Sequence, residues 1–346
     1  MAMVDLIVRG AGVLGLTVAW EAAKRGLKVC VIDPNGIASM SSGGIVGALA
    51  PHVPENWNSI KQFQFQSLVK SEKFWNDVDL VSGVNSGYAR LGRLQPIEDE
   101  KALLLAQNRQ QSSQHLWRGL AKWQIIDSSG PWAIVSKTKK WVFDNLSARI
   151  NPRDACFSLA RAIEKHGGLF ETQPIRNLNA KTVWATGVHD LDRISKLTKT
   201  KFRTAVKGQA ALFSFKCMDY PQVFAKSVHF VPHSNGTLAV GSTSENEFSS
   251  PNATDEGLDR LIEDSRSIIP ELRKHQPIKR WADVRPRSES RAPIVGKHPL
   301  IDGDYIVNGG FKIGFGMAPE LASVLISLIC DGVDKIPEAF RPKNIR

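Results

Sequence analysis

Cysteine is scarce: Cys30, Cys156, Cys217 and Cys330 are the only four in 346 residues, and no two form a CxxC pair. That spacing excludes a zinc ribbon, a thioredoxin-like motif and a disulfide-dense scaffold, so four reduced thiols and no metal centre are expected. No uninterrupted apolar run reaches the roughly 18 residues of a membrane span. The opening MAMVDLIVRGAG lacks a basic stretch, a long apolar core and a cleavage site; its short apolar run leads straight into a glycine loop. A cytoplasmic chain without a transmembrane segment is the expectation. No solenoid-type repeat period appears. Acidic residues are outnumbered, 34 against 45 basic, for a net charge of +11. The basic residues are spread along the chain, and the densest run, residues 137–140 (KTKK), reads as a solvated turn. The surplus suits an anionic substrate or a merely basic surface, and a nucleic-acid partner is not expected. With 42% hydrophobic and 23% charged residues over this length, intrinsic disorder is excluded and two domains fit.

The strongest local pattern is at the start. Residues 5–8 (DLIV) read as a buried parallel strand, followed by Gly10-Ala11-Gly12-Val13-Leu14-Gly15. Leu14, Val18, Ala19 and Ala22 then recur at helical spacing up to Gly26, and residues 28–32 (KVCVI) form a second strand that runs into Asp33-Pro34. Strand, GxGxxG, helix, strand and acid together make a dinucleotide-binding fingerprint. Gly10 permits the tight turn, Gly12 lets the backbone approach a pyrophosphate, and Gly15 lets helix and strand pack closely. The helix N-terminus offers free N–H groups to the phosphates. Asp33 accepts from a ribose diol, which favours FAD or NAD over NADP.

A small, hydroxylated and glycine-rich segment follows, with Ser39, Ser41, Ser42, Gly43 and Gly44 before an apolar end. Its hydroxyls suit phosphate oxygens, and its small residues let a flat ligand lie on the backbone. Residues 58–80 and 100–123 read as helical. Asn151 caps a helix opened by Pro152, with an apolar stripe of Cys156, Leu159, Ala160 and Ile163 and an end at Gly167. Residues 181–187 (KTVWATG) are a buried strand that ends on Thr186-Gly187. Residues 202–245 read as antiparallel strands, with a hairpin from 228–232 through the turn 233–236 to 237–243. Residues 305–308 are a strand, 309–316 a second glycine loop and 319–330 a closing helix. The fold class is α/β (α+β overall): a doubly wound, Rossmann-type nucleotide-binding domain from residues 1–60, 145–200 and 285–346, with an interleaved antiparallel β-sheet domain from 61–144 and 201–284, which the resemblance given next assigns to FAD and to substrate respectively.

Taken together, GAGVLG with Asp33, ASMSSGG, VWATG and the RPRSESRAPIVG…GGFKIGFGMAPELA block resemble the FAD-dependent D-amino-acid-oxidase-like family, nearest to glycine oxidase and related small amine oxidoreductases. The weaker blocks KGQ (207–209) and HFVPHSNGTLAVGSTSE (229–245) fall in the expected order, so the resemblance covers nearly the whole chain. It implies FAD along Gly10, Gly12, Val13, Leu14, Gly15, Asp33, Pro34, Ser41, Ser42, Gly43 and Gly44. Thr186 and Gly187 would lie near the phosphates; Gly310, Lys312, Ile313, Gly314 and Phe315 would lie by the pyrimidine edge of the flavin. It implies Arg285 as the substrate-carboxylate grip, with Arg287 and Arg291 as competing surface arginines, and Lys312 in the catalytic pocket. Phe230 and His52 are the further candidates for contact with substrate.

The implied activity is oxidation of a carboxylate-bearing primary or secondary amine of the glycine, D-amino-acid or N-substituted-glycine type, by hydride transfer to flavin N5, with oxygen or another carrier as electron acceptor. A homo-oligomer would be compatible. Two departures bear on the substrate: Lys312 stands where an arginine is usual, and His229-Phe230 where a tyrosine is usual. A lysine is a point charge and does not replace the guanidinium fork. These changes open the reading to a larger secondary amine or another anionic amine. A flavin-dependent tRNA wobble-uridine modification enzyme and an FAD-binding subunit of a dehydrogenase complex stay open beside it.

Overall fold

The computed structural model of the chain describes residues 4–174, 180–199 and 203–342; the parts of the expected domains outside these ranges lie outside the described residues. The opening fingerprint folds as strand β1 (Leu6–Arg9), helix α1 (Val13–Lys24) and strand β2 (Val29–Ile32). The short strand β3 (Ala48–Leu49) and the long helix α2 (Ser59–Ser82) follow. Asn58 caps α2 by accepting from the Lys61 N–H, and Gly83, at φ 74°, ends it. Next come β4 (Arg93–Pro96), α3 (Glu100–Leu116), β5 (Trp123–Ile126), β6 (Trp141–Asp144) and β7 (Ala148–Arg149). Helix α4 (Pro152–Lys165), capped by Asn151, leads to β8 (Leu169–Glu171), β9 (Lys181–Trp184) and α5 (Val188–Thr198). The remainder is β10 (Arg203–Ser214), β11 (Gln222–Ala225), β12 (Val228–Pro232), β13 (Thr237–Gly241), α6 (Glu256–Ile268), β14 (Pro277–Ser288), β15 (Ile294–Lys297), β16 (Tyr305–Asn308) and α7 (Gly314–Asp331).

Two large sheets organise the chain. The first has six strands in the order β15-β16-β9-β1-β2-β8. All of its pairings are parallel except β15 with β16. Its β1 pairs on one side with β2 and on the other with β9, so the ends of two strands open towards the turn at Gly10. This is the doubly wound, Rossmann-type arrangement, in which ligands sit beyond the carboxyl ends of the strands where the winding reverses. The second sheet has eight strands in the order β14-β10-β13-β12-β11-β4-β6-β5. Its long β10–β14 pair runs antiparallel from Arg203 opposite Ser288 to Phe213 opposite Pro277.

Several expectations are corrected. The second sheet is mixed, because β11 pairs with β4 in parallel. Helix α3 stops at Leu116; Gly119 adopts φ 75°, which breaks the helix before β5. Helix α7 starts at Gly314, within the expected glycine loop, and contains Pro319. That proline costs one backbone hydrogen bond, offset by burial of Met317, Ala318, Leu321, Ala322, Leu325 and Ile326. Helix α2 was expected in the substrate domain. It packs instead on α7 and α4, beside the six-stranded sheet, because Phe63, Phe65, Leu68, Phe74 and Trp75 point into that core. Residues 285–288, expected in the FAD domain, are the end of β14 in the eight-stranded sheet.

Among the described residues, α7 is the one helix whose length and apolarity match a membrane span. It serves as a core helix, buried against α1 and α2.

Candidate active site

Three helix N-termini converge where the two sheets meet. Helix α1 begins after Gly12, α5 after Gly187 at φ 60°, and α7 after Ile313, none with a side-chain cap from its own N-cap residue. The partial positive charges of the α1 and α5 ends border one cavity, and those of the α1 and α7 ends a second one. A cavity of about 450 Å3 runs past the first two. Its lining includes Gly10, Gly12, Val13, Leu14, Asp33, Pro34, Ser41, Ser42, Thr186 and Gly187. A second cavity of about 400 Å3 continues from it, sharing Val13, Leu14, Ser41, Ser42 and Pro286.

The glycine loop is shaped by contact as much as by ligand. A Cβ at Gly10, where φ is 107°, would lie 2.4 Å from the Ala185 carbonyl oxygen. One at Gly15 would lie 2.0 Å from the Gly10 carbonyl oxygen. Ser42 Oγ accepts from the Val13 N–H at 3.0 Å, pinning the hydroxylated segment across the start of α1. Asp33 holds the loop from the other end: one carboxylate oxygen accepts from the Ala11 N–H at 2.8 Å, the other from Asn35 at 2.9 Å. Gly43 faces Ala38 and Ile313 turns into the core, so these two shape the walls and do not line either cavity.

The second chamber is lined by Gly44, Phe224, Ser227, His229, Ser242, Trp281, Arg285, Gly310, Phe311, Lys312, Gly314 and Phe315, among others. None of its lining residues is an Asp or Glu. Arg285 is 8% exposed. Its guanidinium donates to Ser242 Oγ at 2.5 Å and to the Thr243 carbonyl at 3.2 Å, both neutral acceptors. Burial pushes its pKa down to about 10, against the opposing pull of Asp283 and Glu245. Partial desolvation also lowers Lys312, and the nearby Arg285 and Arg287 lower it further. The chamber thus holds one buried guanidinium and borders the exposed Lys312, and no carboxylate of its lining neutralises either. Of the competing arginines, Arg287 leans over the Phe311 ring and donates to Asn246. Arg291 is exposed, and neither of the two lines the chamber.

Two substrate candidates are placed elsewhere. Phe230 is fully buried with Val223, Leu238 and Val240 in the core behind the second sheet. Successive strand residues face opposite sides, so its neighbour His229 enters the chamber instead. His52 stands outside the lining; its backbone N–H donates to Gln64 Oε1. Sequence reasoning marked His229 only together with Phe230, as a departure in the hairpin strand, and did not single out Trp281 or Ser242 as site residues. The period-two alternation of the hairpin was the available signal for His229.

His229 lies against Phe224, with ring centroids 4.6 Å apart, and its pKa falls to about 3 through burial and then the charges of Arg93 and Lys312. Burial also lowers His52 and His233. Each group is lowered on folding, so the unfolded chain takes up protons first as pH falls below the ordinary 6.5. Stability is full above that value and is lost towards the folded pKa values. Urea midpoints are therefore expected to drop between about pH 7 and pH 5, and to drop less in His229→Phe. Equal drops in both proteins would contradict the neutral, buried His229.

The elongated groove fits FAD. An acid lies at one end of it, bare glycines and helix N–H groups line its middle, and a chamber with positive charge closes the other end.

A profile of the DAO family, described as FAD dependent oxidoreductase, matches residues 5–328. The chain belongs to this family of FAD-dependent oxidoreductases. FAD is the cofactor of this flavoenzyme. A glycine oxidase of Pseudomonas aeruginosa is 32% identical over 125 residues, 36% of the chain and 34% of that enzyme. Over that stretch the chain spans only about a third of its relative. A glycine oxidase of Bacillus licheniformis is 20% identical across 98% of the chain and 97% of its own length. The flavoenzyme also shares its fold with an iminodiacetate oxidase from Chelativorans sp. BNC1, at TM-score 0.85 and 19% identity, covering 98% of the chain and 99% of that structure.

Proposed function

We propose that this flavoenzyme oxidises a small amine that carries a carboxylate. The observation that carries the reading is Arg285: a buried guanidinium with neutral partners, in a chamber without acidic lining, at the end of the nucleotide groove. A buried cation without a counter-ion is costly, and a bound carboxylate offsets that cost while its two oxygens match the guanidinium fork.

In this reading Gly10, Gly12, Val13, Leu14, Asp33, Pro34, Ser41, Ser42, Thr186 and Gly187 hold the nucleotide part of FAD. Gly44, Gly310, Lys312, Gly314 and Phe315 border its ring. Bound FAD supplies the two-electron acceptor. Arg285 fixes the substrate carboxylate and thereby the direction in which the Cα–H points. Arg285 and Lys312 together disfavour a third positive charge, so the amine binds in its uncharged form. Its lone pair then forms the C=N bond as Cα loses hydrogen with two electrons, and no side-chain base is needed. His229, neutral and facing the same chamber, accepts from the amine N–H. Trp281, on whose ring the bare Gly44 packs, walls off water.

The test is anaerobic. The flavin's visible absorbance is followed against glycine, sarcosine, D-amino acids, proline and larger N-substituted glycines. Bleaching by one of them supports amine oxidation and identifies its class. Rapid recolouring with peroxide on admitting air marks an oxidase, and its absence a dehydrogenase. No bleaching by any member would defeat the proposal.

Lys312→Met tests the electrostatic part. Loss of one of two cations is expected to raise KM for the anionic amine by about tenfold and to flatten the dependence of kcat/KM on ionic strength. An unchanged salt dependence would remove Lys312 from substrate attraction.

A further inference from the structure

The block Lys207-Gly208-Gln209 lines neither of the two cavities, yet it surrounds the residue on which the proposed chemistry depends. Gly208 sits on β10 opposite Asp283 of β14, one diagonal step from Arg285, which pairs with Val206. A Cβ on Gly208 would lie 1.9 Å from Arg285 Nη2, 2.1 Å from its Cζ and 2.2 Å from its Nη1. The whole guanidinium therefore rests on the bare backbone of this one residue. The backbone of Gly208 is not left-handed, so conformational freedom does not explain the glycine; space does.

The two flanking residues hold the other side of the same arginine. Backbone hydrogen bonds of 2.9 Å run both ways between Lys207 and Glu245. The Gln209 N–H donates to Thr243 Oγ1 at 2.8 Å, and the Thr243 N–H donates to the Gln209 carbonyl at 3.1 Å. The Lys207 ammonium, 2% exposed, meets Asp255 at 2.6 Å and Glu245 at 3.7 Å. The Gln209 amide donates to the same two carboxylates. These contacts strap residues 242–245 to β10, and that strap presents Ser242 Oγ and the Thr243 carbonyl to the guanidinium.

We propose that Gly208 is a positioning residue, whose bare backbone seats the Arg285 guanidinium while Lys207 and Gln209 clamp the strand that supplies its two acceptors. The seat keeps the fork flat and aimed into the chamber, which a bidentate grip on a carboxylate requires. Gly208 touches neither substrate nor cofactor and acts through the arginine. The proposal rests on the reading of Arg285 as the carboxylate grip.

The test uses the FAD-loaded full chain, with glycolate as probe and the uncharged glycolamide as its control, both followed by perturbation of the flavin spectrum. Gly208→Ala is expected to weaken glycolate at least about tenfold, to leave glycolamide unchanged within about twofold, and to raise KM more than it lowers kcat. Arg285→Met is run beside it. Lost glycolate binding in Arg285→Met with wild-type binding in Gly208→Ala would overturn the seat alone. Wild-type glycolate binding in Arg285→Met, or no glycolate binding by the unaltered enzyme, would overturn the reading of Arg285 and the seat with it. Equal losses for glycolate and glycolamide would also overturn it, because a general distortion does not discriminate charge. If Gly208→Ala fails to fold, Ser242→Ala decides. It removes one acceptor without adding an atom, and it should weaken glycolate severalfold while sparing glycolamide; no difference from wild type would overturn the proposal.

Discussion

Replacing Arg285 with methionine should lower kcat/KM for a carboxylate-bearing amine by between about a hundredfold and a few thousandfold, with little change in thermal stability. The activity term is large because the guanidinium is buried and its bond to a carboxylate would form away from water. Truncating one partner of such a desolvated pair costs about 2–5 kcal/mol. The stability term is small because two effects oppose each other. The folded chain carries a desolvated cation, as the downward shift of Arg285 records, and removing it is favourable. Against this, Ser242 Oγ and the Thr243 carbonyl lose their donor, at about 1–3 kcal/mol each if left unpaired. A structural ion pair would give the reverse pattern, a lower Tm with activity retained. Steady-state kinetics and thermal melts on one preparation separate the two. Arg285→Lys refines the result: charge without the fork should recover only part of the lost activity.

The nucleotide half of the site could be read from the sequence because its constraints are local. Gly10, Gly12 and Gly15 act within one turn, and Asp33 closes the same turn by accepting from the Ala11 N–H. Their spacing alone places them, although the distant Ala185 also crowds Gly10 and Gly15. The chamber depends on pairings between residues far apart in the chain. Whether His229 or Phe230 faces the cavity is decided by the register of β12 against β11 and β13, which moves every side chain to the other face if it slips by one. Trp281 and Arg285 share a face of β14 by the strand's own alternation, but which side of the sheet that face meets depends on the pairing with β10. The role of Gly208 is invisible without that pairing, since a lone glycine between Lys207 and Gln209 signals a bulge as readily as a seat. The placement of α2 is a milder case. Its helical character was legible, but which core received it depends on α4 and α7, much later in the chain.

Gly15→Ala should strip the enzyme of FAD, weakening binding by about a hundredfold or more and destabilising the fold by about 1–3 kcal/mol. Helix propensity alone predicts the opposite. Gly15 lies in the first turn of α1, and alanine there would favour the helix by about 1 kcal/mol. The steric effect must win. The added carbon would stand 2.0 Å from the Gly10 carbonyl oxygen and 3.2 Å from the Ala185 Cβ, and backbone cannot rotate away as a side chain can. Relief requires α1 to lift off the loop. That movement would pull the Val13 N–H from Ser42 Oγ and spread the helix-end N–H groups proposed to receive the phosphates. Gly12→Ala gives the graded comparison. Its carbon would meet only the Ser42 side chain within the protein, Oγ at 3.0 Å and Cβ at 3.7 Å, which can turn aside, so a smaller destabilisation of the fold is expected, while FAD affinity still falls because the carbon stands where the backbone approaches the pyrophosphate. Flavin content of the purified proteins and titration of the apoproteins with FAD measure both effects. If Gly15→Ala kept wild-type FAD affinity, the close packing of α1 on the loop would not be what shapes the nucleotide site, and helix propensity would be the stronger term.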